Sequence, residues 1–160
     1  MRTGFEQPVP TFLVAPDTAH NRELAVAYGA SRGISRALAM ETWDPEATID
    51  RGQALDRARS TQRALEAAAQ LGTPSTMPVW GPDDVGRTAA QAIVAGAAQA
   101  AEAVRLLGDA STPVATLRSV AGSLLTLVNQ ATHQLATYSW DVPRGSIVLW
   151  TRPAAGTDAA

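Results

Sequence analysis

Small or apolar residues recur at three- and four-residue intervals in four stretches of the chain, the period of a helix with one buried face. The last stretch is the clearest: Val114, Leu117, Ala121, Leu124, Val128, Ala131, Leu135 and Tyr138 share one seam. Its large side chains predict the most buried helix. The third stretch carries Ala90, Ile93, Ala97, Ala100, Val104 and Leu107, and the first carries Leu24, Ala27, Ser31, Ile34 and Leu38 with Tyr28 beside them. Leu55, Ala58, Leu65 and Ala69 make only a narrow stripe in the second, which predicts the most exposed of the four.

Helix boundaries follow from capping chemistry. Asp17-Thr18 can cap a first helix reaching about Trp43, and Asp44-Pro45-Glu46 supplies an N-cap, a first-turn proline and a first-turn acid for the second. Leu71-Gly72-Thr73-Pro74 ends it. Gly81-Pro82-Asp83-Asp84 opens a third helix that closes at Leu107-Gly108, and Thr112-Pro113 opens a fourth that fades near Trp140. Each helix is then about 25 residues, on the order of 38 Å. Matched lengths and short connections predict an all-α fold, an antiparallel up-down four-helix bundle with short extended N- and C-terminal segments. A single domain is expected over 1–160, with its core at about 17–140 and extended or disordered ends at 1–16 and 141–160.

Within those ends, Thr11-Phe12-Leu13-Val14 and Ser146-Ile147-Val148-Leu149-Trp150 are rich in β-branched and aromatic residues and bounded by Pro and Gly. An up-down bundle brings both to one end, where they can pair as a two-stranded ribbon or add to a strand of another subunit. Residues 153–160 are small and polar and read as disordered. Val142-Pro143-Arg144-Gly145-Ser146, which contains the core of a common engineered cleavage sequence, reads as native turn chemistry.

Composition removes chemistry more than it suggests any. All 13 basic residues are arginine and cysteine is absent. Lysine Schiff bases, P-loop lysines, thiolate nucleophiles and zinc-thiolate sites are therefore excluded. No Gly-x-Ser-x-Gly elbow accompanies the serines. A net charge of −2 gives no global attraction to nucleic acid or anionic membranes. The apolar run Thr11–Ala15 is too short for a signal-peptide core and no later stretch approaches a bilayer span, so a cytoplasmic protein without membrane partners is expected.

Residues 28–39, Tyr-Gly-Ala-Ser-Arg-Gly-Ile-Ser-Arg-Ala-Leu-Ala, resemble the glycine-rich cofactor turn of short-chain dehydrogenases. The resemblance implies a dinucleotide at a strand-turn-helix junction. It covers only these residues: Ser35 replaces the last glycine, no lysine completes a Tyr-Lys pair, and strands and helices do not alternate afterwards. Helix packing is the preferred reading, because Ala25, Gly29, Gly33 and Ala37 share one helical face and permit close approach of a neighbour. Two glycines inside a helix cost about 1 kcal/mol each. The sequence leaves open whether the Gly29/Gly33 segment is one continuous helix.

His20 with Glu23 and His133 are the metal candidates; an up-down bundle would bring them to one end, but the Glu-x-x-His pairs of a di-iron bundle are missing. Arg51, Arg57, Arg59 and Arg63 suggest a phosphate stripe, yet Asp56 and Glu66 interleave with them and give a salt-bridged surface instead. No catalytic residue, cofactor or metal is assigned.

The function expected is a non-enzymatic interaction or assembly protein, homo-oligomeric or joined to another protein. The interface expected comprises Ala92, Gly96 and Ala103 on a small-residue face of helix three, where Val94 and Ala95 also lie outside the main seam, together with Ile147, Leu149 and Trp150 of the C-terminal strand. The alternatives are a ligand-binding bundle with a cavity beside Tyr28, Tyr138 and the tryptophans, and an arginine-dependent nucleic-acid binder.

Overall fold

A computed structural model describes residues 10–44, 46–74 and 88–152. The chain runs β1 (Thr11–Pro16), α1 (Ala19–Ala37), α2 (Arg51–Leu71), α3 (Ala89–Leu107), α4 (Val114–Leu135), β2 (Thr137–Ser139) and β3 (Ser146–Arg152). It is mostly helical, but the all-α expectation is corrected by a three-stranded antiparallel sheet of order β2-β1-β3. The terminal segments pair as a ribbon, Leu13 opposite Trp150 and Pro16 opposite Ser146. β2 was not foreseen. Its Tyr138 prolongs the spacing of the α4 seam, yet pairs with Leu13 across β1.

The helices are shorter than about 25 residues, at 19, 21, 19 and 22. Thr18 caps α1, its hydroxyl accepting the Asn21 N–H at 3.1 Å, but the helix stops at Ala37, just before Ala39 takes a φ of 55°. α2 starts at Arg51 because Asp50 is its cap, accepting from the Gln53 N–H at 2.9 Å, whereas Asp44 makes a local turn by accepting from the Glu46 N–H. Gly72, at a φ of 85°, ends α2. A capping box of Thr88 and Gln91 opens α3; the expected opening at Gly81–Asp84 and the tail 153–160 lie outside the described residues. α4 gives way at Ala136 to the sheet.

Each helix packs on the next in sequence, and α1 also packs on α4. Leu24, Ile34, Leu38, Leu65, Ile93 and Leu124 are the larger side chains of the resulting core, and many of the spaces between them are filled by alanine. α1 buries ten of its 19 residues and α4 eight of its 22, so the first helix, not the fourth, is the most buried; α2 buries six of 21 and is the most exposed, as expected. The buried stripe of α3 is Ala89, Ala92, Ile93, Gly96, Ala100, Ala103 and Leu107, turned from the predicted seam so that Ala90 faces outward. Among the described residues no helix is long and apolar enough to cross a membrane.

α1 is continuous through Gly29 and Gly33, which removes the cofactor turn implied by the dehydrogenase resemblance. The close-approach role of the two glycines is also only partial. A Cβ on Gly33 would meet the Arg57 side chain at 3.1 Å, but one on Gly29 would meet nothing within 4 Å. Gly29→Ala is therefore expected to stabilise the protein by up to about 1 kcal/mol in denaturant unfolding, from helix propensity alone. A loss of stability would show that something covers this face.

Candidate interaction edge and arginine-aromatic cluster

β1 lies in the middle of the sheet. Leu13 and Val14 point to opposite faces and are both buried, so this strand is covered on both sides. β2 and β3 are the edges. From the strand registers, the connection 140–145 must carry the chain from the Phe12 end of β1 to its Pro16 end. Its return is a turn in which the Ser146 N–H donates to the Pro143 carbonyl at 3.1 Å and Gly145 takes a φ of 80°, the geometry of a type II turn. The cleavage-like sequence is thus turn chemistry.

β2 has three residues and β3 seven. An edge strand leaves alternate N–H and C=O groups without a ladder partner, and β3 offers the longer row. The register shift between Leu13 and Val14 places Trp150 and Val148 opposite neighbouring residues, so Leu149 is extra and bends the edge. Pairing beyond β3 is thereby confined to one side of the bulge. Ile147, Leu149 and Trp150, expected at an interface, are all half-buried on this strand.

Tyr138, Leu13 and Trp150 form one cross-strand row and share a face, and Arg152, two residues beyond Trp150, shares it too. The Arg152 guanidinium carbon lies 5.1 Å from the Tyr138 ring centre and 5.7 Å from that of Trp150. From α1, the Arg32 guanidinium lies 5.2 Å from the Trp150 ring and 5.6 Å from the Tyr28 ring. Two cations therefore converge on Trp150, each within cation-π range. The ion pairs among the described residues join Asp17 to Arg22, Glu41 to Arg36, Asp56 to Arg59 and Glu102 to Arg105; neither Arg32 nor Arg152 takes part. Arg32 Nε is buried without a hydrogen-bond partner among them. Burial raises the Tyr28 hydroxyl pKa above its usual value, and the Arg32 charge opposes that rise.

The other expected sites are dispersed. Ala92 and Ala103 are at most 1 % exposed and Gly96 is buried with them, so this small-residue face is used inside the chain. Asn21 Nδ2 donates to the Pro16 carbonyl, which turns its Oδ1 toward His20 Nδ1 at 2.9 Å; His20 Nε2 meets the Thr73 hydroxyl at 2.9 Å. Both ring nitrogens of His20 are thus committed to tying α1 to β1 and to the segment after α2. His133 lies 5.7 Å from Tyr138, its pKa lowered by burial, and no group of three potential ligands is found among the described residues. Arg51 donates to the Thr112 carbonyl at 2.7 Å, Arg57 covers Gly33, and Arg59 pairs with Asp56, so these three of the four expected α2 arginines have contacts within the chain, while Arg63 is exposed.

The aromatic residues named for a cavity do come together at Tyr28, Tyr138 and Trp150, but around arginine side chains, while Trp43 and Trp140 are 94 % and 75 % exposed. The arginines themselves were missed. One local signal existed: Arg32 lies on a mostly buried helix with Tyr28, Gly29, Ser35 and Arg36 at the three- and four-residue positions, so no acid can pair with it along α1. Comparison with protein-family models, curated proteins and solved structures returns no match.

Proposed function

We propose that the chain is a non-enzymatic interaction protein that joins an extended segment of another protein by strand addition at β3. The observation that carries this reading is the seven-residue edge strand with no strand beyond it among the described residues. Val148 is partly exposed on that strand and Trp140 stands on the connection leading to it. An open edge suits partner binding, where main-chain hydrogen bonds supply affinity and flanking side chains specificity.

In the same reading the helices form an antiparallel up-and-down bundle that serves as a rigid base. Contacts between helix ends support this arrangement. His20, at the start of α1, reaches Thr73 after α2; the Asp50 N–H before α2 donates to the Ala37 carbonyl at the end of α1; Arg118, early in α4, donates to the Leu38 carbonyl just past α1. These contacts fit α1 running opposite to both α2 and α4, as an up-and-down bundle requires.

Self-association through β3 fits less well than binding another protein. Two copies paired antiparallel along this strand would bring Arg152 of one toward the Arg144 end of the other, and like charges across a strand pair are destabilising.

Panning a display library of short extended peptides against the protein tests the reading. Retained peptides are expected to slow amide exchange within β3 on one side of Leu149. Retention only on helical faces, with β3 exchange unchanged, would overturn strand addition.

A further inference from the structure

We propose that the segment added to β3 is acidic, its carboxylates held by Arg32 and Arg152 beside Trp150 on one face of the sheet; this rests on β3 being the binding edge. The bulge at Leu149 limits main-chain pairing to part of the strand, so ladder hydrogen bonds alone give a weak complex. The half that starts at Trp150 is also where both guanidinium groups gather.

What sets these two arginines apart is that aromatic rings surround them. No ion pair among the described residues includes either one, and their neighbours are rings: Tyr28 and Trp150 for Arg32, Tyr138 and Trp150 for Arg152. Ring stacking holds a guanidinium in place but does not use its in-plane N–H donors, which match a carboxylate in geometry and charge. Arg152 is exposed and Arg32 half-buried, so the pair is reachable from solvent and partly desolvated. A carboxylate arriving on an extended chain satisfies both donors and relieves the repulsion between the two cations. Nucleic acid is the weaker occupant, because Tyr28 is only 3 % exposed and Tyr138 and Trp150 already carry guanidinium groups where a base would stack.

Two peptides decide the matter: Thr-Glu-Val-Glu-Val-Glu-Thr and its counterpart with every Glu replaced by Gln. Calorimetry and amide exchange are read on the parent, Arg32→Gln and Arg152→Gln. The acidic peptide is expected to bind about tenfold or more tightly than the Gln peptide, protect β3 amides, and lose that advantage as salt is raised. Either substitution should bring its affinity down toward that of the Gln peptide while leaving the Gln peptide unaffected. Arg152→Gln, at an exposed strand end, keeps the test valid if Arg32→Gln disturbs folding. Equal binding of the two peptides at β3 would overturn the acidic preference and leave strand addition standing. So would an acidic preference that survives Arg152→Gln, or tighter binding of a single-stranded DNA oligonucleotide. Binding of neither peptide, with β3 amides unprotected, would overturn strand addition and this inference with it.

Discussion

Leu124→Ala is expected to lower the free energy of unfolding by about 2–5 kcal/mol, the cost of removing a fully buried leucine together with the cavity it leaves. Leu124 is 0 % exposed and lies on the buried stripe of α4 between Val120, Ala121 and Val128. Much of the surrounding core is alanine, whose side chains have no length with which to fill a new void, so collapse falls to the backbone and the upper part of the range is favoured. Leu71→Ala, at the end of α2 where the side chain is 52 % exposed, should cost far less. Urea unfolding of both variants supplies the comparison, with the slope checked for constancy. Equal losses at the two positions would mean that α4 does not pack as described.

Periodicity and caps were enough to place four helices in order because their information is local. Thr18 bonding Asn21 and Gly72 closing α2 involve residues a few positions apart. The terminal ribbon was also legible, from β-branched residues bounded by Pro and Gly. The third strand was not, since Tyr138 fits a helical seam equally well and only its partner, Leu13, decides otherwise. The facing of α3 failed for a different reason. Alanine or glycine occupies positions on several of its faces, so the pattern alone cannot distinguish a stripe through Ala90 and Ala97 from one through Ala92 and Gly96. The choice is made by Leu65 of α2, whose methyl needs the space that Gly96 leaves.

The candidate site was legible by half. Trp150 stood out as an aromatic residue on a terminal strand. Arg32 and Arg152 did not, because their importance arises only when α1 and β3 meet and no acid among the described residues pairs with them.

Gly96→Leu separates an internal role for α3 from an external one. Leucine is the better helix former by somewhat under about 1 kcal/mol, so an exposed Gly96 would give a more stable variant. The structure points the other way. A Cβ at this position would sit 3.1 Å from Leu65 Cδ1 and 3.8 Å from Leu127 Cβ, which places it where α2, α3 and α4 meet. A whole leucine side chain must displace these neighbours, and overpacking of about 1–3 kcal/mol or more outweighs the gain in propensity. Net destabilisation is expected, with unchanged mass in light scattering. Gly96→Ala should be nearly neutral, because only the flexible end of Leu65 has to yield. Leu65→Ala combined with Gly96→Leu should recover part of the loss, since the new side chain can occupy the vacated volume; their combined cost would then fall below the sum of the separate ones. A Gly96→Leu variant as stable as the parent but altered in mass would return this face to the surface as an interface between subunits.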